Sequence, residues 1–166
     1  MGNRRWIILI CGLLLVGLLM SVWLLSDKIT LWFAEVEDAR CMTEFDDAGG
    51  RYRIYCGSCE GKPAVVRLRL NGIGFWVEDN TACARETDYA EMSWHYEKSP
   101  VLGWSEGSGY FYCGKLLPEA VELLKADQSM MVTAFPNGEY SGLMIFHNDA
   151  LPWNPDRVTD YFEEIA

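Results

Sequence analysis

Residues 6–25 read WIILICGLLLVGLLMSVWLL, a run of 20 residues without a single charge. Its one hydroxyl belongs to Ser21. At about 1.5 Å of rise per residue, a helix of this length spans about 30 Å, which is the thickness of the hydrocarbon core of a bilayer. We therefore predict a single transmembrane helix over residues 6–25, with everything that follows it on one side of the membrane.

The charges beside this run predict its direction. Arg4 and Arg5 precede it, together with the amino terminus, whereas Asp27 and Lys28 follow it and cancel. Because positively charged flanks stay in the cytoplasm, we predict that residues 1–5 are cytoplasmic and that the C-terminal part is exported. In a bacterial cell the chain would be a single-pass protein of the inner membrane with a periplasmic domain.

A cleaved signal peptide is the competing interpretation of the same run. Signal peptides share the basic start, but their apolar core is usually about 7–15 residues long. Cleavage also requires small residues just before the cut, and Leu24-Leu25-Ser26 fits that requirement poorly. We expect an uncleaved signal anchor, and the sequence leaves open whether the segment is ever removed.

The exported part is strongly acidic. The chain of 166 residues has a formal net charge of −10. Setting aside residues 1–28 leaves 11 Lys and Arg against 23 Asp and Glu, a net charge near −12. This charge argues against binding nucleic acid or an anionic membrane surface, and it would suit a basic protein partner.

Five cysteines follow the anchor, and in an oxidising compartment they are expected to pair. An odd number leaves one cysteine over, and the sequence does not choose among the fifteen possible arrangements. The candidates are Cys41, Cys56, Cys59, Cys83 and Cys113.

Residues 26–50 are predicted to form a juxtamembrane segment and linker. Ile29, Trp32, Phe33 and Val36 are spaced to share one helical face, so we expect the anchor helix to continue for a few turns. The acidic and glycine-rich end of this segment predicts a turn before the folded domain begins.

Residues 51–166 are predicted to form one domain. Alternating apolar patterns and two hairpin signals, at Asn71-Gly72 and at residues 136–139, predict about seven strands. Proline at the first helical position predicts helices over Pro118–Lys125 and over residues 154–165. The expected fold class is α+β, with a small disulfide-stabilised antiparallel sheet domain and two packed helices.

Cys56-Gly-Ser-Cys59 is the sharpest local motif. A Cys-x-x-Cys pair becomes a redox centre when a helix N-terminus stabilises the first thiolate. Here a turn and a strand follow, so we favour two structural cysteines over a periplasmic thiol–disulfide protein, which remains the alternative function.

Gly103-Trp-Ser105-Glu-Gly107 matches the nucleophile-elbow pattern of serine hydrolases. That mechanism needs a strand before the serine and a helix after it, whereas this match lies in a Gly/Ser-rich loop that precedes a strand. A hydrolase using Ser105 is therefore a weaker alternative.

The two histidines suggest no metal site. His95 lies in a predicted strand, and Asp149 could orient His147 at the end of another. No second histidine stands at ligand spacing, so we expect neither a metal nor another cofactor, and we assign no catalytic residue.

Three aromatic residues are candidates for partner binding. Trp104, Tyr110 and Trp153 lie in or beside predicted loops, where an indole or phenol can anchor a protein partner or can close the end of a sheet core. The sequence does not separate these two roles.

Together these features favour a binding protein over an enzyme. We expect a membrane-tethered envelope protein that presents an acidic domain to a protein partner. It would act as an immunity or exclusion protein against a toxin, or as an accessory subunit of a secretion or conjugation machine. Charge and size are the grounds for that choice, and neither the partner nor the oligomeric state follows from the sequence.

Overall fold

The computed structural model describes residues 2–47, 49–85, 88–96, 107–125, 130–137, 140–147, 158 and 160–163. In these residues the chain forms three helices and eight strands. In order they are α1 (Gly2–Leu24), α2 (Ser26–Phe33), β1 (Val36–Asp47), β2 (Gly50–Cys59), β3 (Lys62–Leu70), β4 (Trp76–Cys83), β5 (Tyr89–Tyr96), β6 (Gly107–Gly114), α3 (Pro118–Lys125), β7 (Met130–Asn137) and β8 (Tyr140–His147).

Helix α1 contains the apolar run, and its last turn contacts the rest of the molecule through Trp23. The segment Trp6–Leu24 is apolar all round, and none of it is buried. It is long and apolar enough to cross a membrane, a test that a signal sequence also passes. The expected N-terminal apolar helix is therefore present.

Helix α2 continues the chain with one interruption. Leu25 separates the two helices, yet its N–H still bonds to the Ser21 carbonyl, and its own carbonyl accepts from the Ile29 N–H. The expected extension of the anchor helix ends at Phe33, because Glu35 adopts a positive φ of 57° that starts the turn into β1.

The first sheet is an antiparallel meander in the order β1-β2-β3-β4. Glu60 and Gly61, both with positive φ, make the tight turn between β2 and β3. Between β3 and β4 the Asn71 side chain accepts hydrogen bonds from the N–H groups of Ile73 and Phe75, which explains the hairpin signal there.

The second sheet has the order β5-β6-β8-β7, and all of its neighbouring strands are antiparallel. The two sheets pack face to face over a shared central core. Side chains from both sheets alternate inward to fill it, as in other two-sheet packings. Its buried members are Met42, Phe45, Ile54, Cys56, Val65, Ala90, Met92, Phe111, Cys113, Tyr140 and Met144.

Each sheet is also covered on its outer face. Helix α2 packs on the first sheet, and the C-terminal residues pack on the second. The cluster under α2, called here the outer cluster, consists of Leu31, Val36, Tyr55, Ala64, Val66, Leu68 and Trp76. The cluster on the far side consists of Tyr112, Leu143, Ile145, Val158 and Phe162.

This layering explains the sequence of the central strands. In β3, Val65 faces the central core while Ala64 and Val66 face the outer cluster, so the strand reads as a continuous apolar run. The predicted antiparallel α+β fold, stabilised by a disulfide, is confirmed: Cys56 on β2 is bonded to Cys113 on β6, and this link joins the two sheets.

Strand β1 lies inside residues 26–50, which the sequence assigned to a juxtamembrane segment and linker. It pairs with β2 from Val36 opposite Cys59 to Asp47 opposite Gly50. Its many charges and two register shifts hide the alternation that marks a strand, because β1 is a partly exposed edge strand. The first sheet therefore begins only two residues after α2 ends.

Candidate functional site

A buried carboxylate lies just after the apolar helix α1, where the chain meets the folded domain. Asp27, in the first turn of α2, is only 9% exposed. Its Oδ2 accepts a hydrogen bond from the Tyr55 hydroxyl at 2.7 Å and one from Nη1 of Arg53 at 3.0 Å, while its Oδ1 accepts from the Lys28 N–H at 2.9 Å. Burial and the bond to Asp27 raise the pKa of Tyr55, so its hydroxyl remains a donor at neutral pH.

Helix α2 also forms hydrogen bonds with the start of β4. The Thr30 hydroxyl donates to the Trp76 carbonyl at 2.8 Å, and the Trp76 N–H donates to the Ser26 hydroxyl at 3.3 Å. The Arg53 guanidinium lies 4.2 Å from the centre of the Trp76 ring. The residues that follow the anchor are thus bonded to both β2 and β4.

The end of α1 touches the first sheet at Gly74. A Cβ on this residue would come within 2.8 Å of Nε1 of Trp23, and its φ of 86° also favours glycine. A cavity of about 240 Å³ opens beside this contact. Its lining residues are Trp23, Leu24, Glu44, Arg51, Arg53, Leu70, Gly74 and Trp76.

The charges of that cavity are matched within the chain. Arg53 pairs with Glu44 at 2.7 Å as well as with Asp27, and Arg51 pairs with Asp46 at 2.9 Å. The guanidinium groups are therefore already neutralised, and the cavity does not present a free positive charge to an anion.

A larger groove, of about 440 Å³, runs between α2 and the start of β1. It is called here the α2–β1 groove, and it combines apolar side chains with two carboxylates and the ammonium group of Lys28. Its lining residues are Lys28, Leu31, Trp32, Val36, Glu37, Asp38 and Ala39.

Trp32 lines this groove and contacts a second exposed aromatic side chain, that of Phe33. Trp32 and Phe33 are each 73% exposed, and their rings meet edge to face with centroids 4.9 Å apart. Leu31, the residue before Trp32, is by contrast only 2% exposed and packs in the outer cluster. Helix α2 therefore buries Asp27 and Leu31 and presents Trp32 and Phe33 to solvent.

The backbone at the groove is held in an unusual conformation. Glu35 and Asp38 have φ values of 57° and 49°, a region that residues other than glycine rarely adopt. The strand behind them is close: a Cβ on Gly57 would lie 2.7 Å from the Glu37 carbonyl oxygen and 2.8 Å from Val36. Gly57 thus leaves room for the backbone of β1 to lie close beside β2, and the residues with positive φ, Glu35 and Asp38, lie on either side of Glu37 in the chain.

The two cysteines of the Cys-x-x-Cys motif point to opposite faces of the first sheet. Cys56 is fully buried in the central core and bonded to Cys113, whereas Cys59 packs against the outer cluster. Residues three apart on a strand face opposite sides, so the strand separates the two sulfurs. This geometry supports two structural cysteines rather than one redox centre.

The remaining predicted cysteines lie apart from the groove or at its edge. Cys41 is exposed on β1, where its thiol bonds to the Thr43 carbonyl. Cys83 ends β4 and is half-buried, as is Cys59.

Of the three aromatic residues predicted to bind a partner, only Tyr110 lies within the described residues. Tyr110 is half-buried on β6 and packs on the far side of the second sheet, its ring stacked 6.4 Å from Tyr112. It therefore lies on the side of the domain opposite the α2–β1 groove. Trp104 and Trp153 lie outside the described residues, as does Ser105.

No group of three or more His, Cys, Asp or Glu residues is arranged to hold a metal ion in the described part of the chain. His95 is exposed on β5, and Asp149 lies outside that part. Burial raises the pKa of Glu91, which lies opposite Tyr112 on the paired strand β6.

The sequence did not single out Asp27, Trp32 or Phe33 as functional residues. Asp27 was taken only as a flanking charge, and the aromatic pair only as part of a helical face that predicted an extension of the anchor helix. A charged residue next to an apolar helix gives no sign of a partner 28 positions away on a strand. No protein-family model, curated protein or solved structure matches this chain.

Proposed function

We propose that this chain is a membrane-tethered, non-enzymatic binding protein of the bacterial envelope, and that the α2–β1 groove is the surface it offers to a protein partner. The observation that carries the proposal is the exposed pair Trp32 and Phe33 beside that groove. Large aromatic side chains are enriched among the residues that dominate binding energy, and an exposed apolar patch rimmed by charge is typical of an interaction surface.

The position of the groove supports a role close to the membrane. Trp32 follows Leu24, the last residue of α1, by only eight positions. Tethering raises the effective concentration of a binding surface toward any partner confined to the same thin space. Arg4 and Arg5 favour a cytoplasmic N-terminus, and an exported domain would meet the oxidising conditions that suit the Cys56–Cys113 bond.

Charge supports a basic partner. Glu37 and Asp38 line the groove, and the exported part carries a net charge near −12. Opposite charge on a partner speeds association and makes binding sensitive to salt. An immunity or exclusion protein facing a basic toxin has this design, and an accessory subunit of a secretion or conjugation machine is the other form of the proposal.

Photo-crosslinking in living cells tests the groove. A benzophenone amino acid replaces Trp32 in the full-length chain, and the matched control carries it at Ile73, which is 77% exposed in the β3–β4 turn. We expect one protein adduct from position 32 that is absent from position 73. Glu37→Lys should weaken it, whereas the same charge change at exposed Glu122 on α3 should not.

Two results would contradict the proposal. One is an identical set of adducts from positions 32 and 73, which would show collision rather than recognition. The other is an adduct from position 32 whose yield in isolated membranes is unaffected by Glu37→Lys and by high salt, since the proposal assigns the groove carboxylates a part in binding.

A further inference from the structure

The β3–β4 turn is an apolar tip on an acidic domain. Residues 70–77, which read LNGIGFWV, contain no charged side chain. Ile73 lies in the middle of the turn and is 77% exposed, the highest value among the large hydrophobic residues that the structure describes. A single exposed apolar side chain is common in soluble proteins, so its place in the fold decides whether it has a role.

The turn lies at the end of the first sheet from which α1 departs. The hydroxyl of Ser26, the first residue of α2, accepts a hydrogen bond from the N–H of Trp76, where β4 begins beside the turn. After α2, strand β1 starts with Val36 opposite Cys59, at the other end of the sheet. Helix α2 therefore runs along the sheet away from the turn, and α1, which precedes α2, lies at the turn end.

Helix α1 contacts the turn directly. A Cβ on Gly74 would lie 2.8 Å from Nε1 of Trp23, so the backbone next to Ile73 abuts the last turn of α1. Trp23 is the second to last residue of that helix, and an indole at the end of an apolar span favours the headgroup layer of a bilayer. With α1 in a membrane, the turn is therefore level with this layer.

The backbone of the turn makes its own hydrogen bonds. The Asn71 side chain accepts from the N–H groups of Ile73 and Phe75. The Asn71 carbonyl accepts from the Gly74 N–H at 3.0 Å, and the Asn71 N–H donates to the Phe75 carbonyl at 2.8 Å. A backbone N–H without a partner is costly in an apolar layer. These four N–H groups are bonded within the turn, which lowers the cost of placing it at the edge of a bilayer.

The neighbouring turn limits the depth of such a contact. The β1–β2 turn lies at the same end of the sheet, where Asp47 is opposite Gly50. It is flanked by the ion pair between Arg51 and Asp46. Charged side chains favour the headgroup layer and water over hydrocarbon. Ile73 would therefore reach the boundary between headgroups and acyl chains and no deeper.

We propose that the β3–β4 turn is a second membrane contact, in which Ile73 inserts between phospholipid headgroups beside the anchor. The inference rests on the proposed function, because it requires α1 to span the bilayer. The contact is apolar, so it needs no anionic lipid and is compatible with the acidic charge of the domain. A benzophenone at position 73 is accordingly expected to label lipid in cells, in keeping with its use above as a position without a protein adduct.

Quenching by brominated lipid tests the contact in the full-length chain, reconstituted in phosphatidylcholine vesicles. An environment-sensitive fluorescent amino acid replaces Gly72, which has open space around it and leaves Ile73 intact. Matched probes replace Val16 in the middle of α1 and exposed Lys62 at the opposite end of β3. We expect bromine on the acyl chains to quench emission from positions 16 and 72 and to leave position 62 unquenched.

Substitutions at Ile73 separate insertion from proximity. With the probe at position 72, Ile73→Asp should abolish the quenching by acyl-chain bromine, whereas Ile73→Leu should retain it. Both variants should keep the urea midpoint of the unaltered chain, because the replaced side chain is exposed. Equal quenching in the two variants would overturn the insertion of Ile73.

The probe positions also distinguish this inference from the tether on which it rests. Quenching at position 16 without quenching at position 72 would refute the turn contact and leave the anchor intact. An absence of quenching at position 16 would refute the tether itself. In cells, a protein adduct from benzophenone at position 73 would assign the turn to a protein partner and overturn the lipid contact.

Discussion

The Asp27 carboxylate accepts a 2.7 Å hydrogen bond from the Tyr55 hydroxyl, which joins the residue just after the anchor to a central strand of the domain. Tyr55 is 2% exposed, and Arg53 from the same strand supplies the opposite charge at 3.0 Å. The carboxylate is thus held by two donors from β2, and α2 is fixed to the first sheet by a bond largely shielded from water.

Asp27→Asn should destabilise the domain by about 1–3 kcal/mol, because it removes the charge that compensates Arg53 in a partly buried site. The matched control is Asp46→Asn, whose carboxylate is 71% exposed and pairs with Arg51. That change should alter the free energy of unfolding by no more than about 0.5 kcal/mol. Urea denaturation of the full-length chain in detergent measures both, and equal effects would show that the Asp27 junction adds no stability.

Two tyrosines provide a matched test of hydrogen bonding. Tyr55→Phe should cost about 1–2 kcal/mol, because it leaves one bond to the Asp27 carboxylate unmade. The Tyr112 hydroxyl is buried and, among the described residues, has no hydrogen-bond partner. Tyr112→Phe should therefore change stability by less than about 0.5 kcal/mol or increase it. A larger loss for Tyr112→Phe than for Tyr55→Phe would contradict this interpretation.

Alkaline pH should weaken the fold through the same two phenols. Burial raises the pKa of Tyr55 and of Tyr112 above the ordinary value of 10.0, with Asp27 and Glu91 as the respective neighbouring charges. A raised folded-state pKa contributes stability that is complete below pH 10.0 and is lost as the pH rises further. Each group should lower the free energy of unfolding by about 1.4 kcal/mol per pH unit above that value.

The measurement is urea denaturation from about pH 8 to about pH 11 on the unaltered chain and the two phenylalanine variants. In each variant, the free energy of unfolding should fall less steeply above pH 10.0, because one of the two phenols is missing. Below pH 10.0 the free energy of unfolding should not depend on these two groups. An unchanged slope in Tyr55→Phe would mean that this phenol ionises normally in the folded chain.

Removing the bond between the sheets should be costly. Cys56 and Cys113 are separated by 57 positions, and closing a loop of that length is worth about 4 kcal/mol in the chain-entropy description. The double variant Cys56→Ala, Cys113→Ala should lose a comparable amount of stability in urea, whereas Cys41→Ser on the exposed edge should lose almost none. A loss below about 1 kcal/mol in the double variant would show that packing alone holds the sheets together.

Binding and folding should separate at neighbouring positions of α2. Trp32→Ala should change stability by less than about 0.5 kcal/mol, because its side chain is 73% exposed, and should reduce partner capture. Leu31→Ala, at 2% exposure, should cost about 2–4 kcal/mol through the cavity it leaves. Thermal unfolding and co-purification of the partner on the same preparations measure the two effects. Trp32→Ala with full capture would remove Trp32 from the binding surface.

Local sequence signals predicted the elements whose patterns are self-contained. Helix α3 runs over the predicted Pro118–Lys125, because a proline at the first turn and acidic residues beside it specify a helix start locally. The hairpin at Asn71 was found because its side chain satisfies the turn's own N–H groups. These features depend on residues that are close together in the chain.

The candidate site could not be predicted in the same way. Strand β1 becomes part of a sheet only through its bonds to β2, and its charges resemble those of a linker. The meeting of Cys56 with Cys113 depends on how the two sheets stack, and Trp32 is exposed only because Asp27 and Leu31 turn the other face of α2 inward. Such contacts depend on packing between segments that are distant in sequence. The periodicity of apolar residues does not predict them.

Under the proposed topology, the hydrogen bonds of Asp27 affect how far the binding surface lies from the membrane. With α2 bonded to β2 and β4, Leu25 is the one residue between α1 and a helix that is fixed to the domain, and Trp32 follows the end of α1 by eight residues, at most about 12 Å along a helical path. The groove would then diffuse laterally with the anchor and stay at a limited distance from the bilayer surface. A partner could bind only if its own binding surface lay at a similar distance from the membrane. That distance would therefore restrict the choice of partner, in addition to the side-chain contacts.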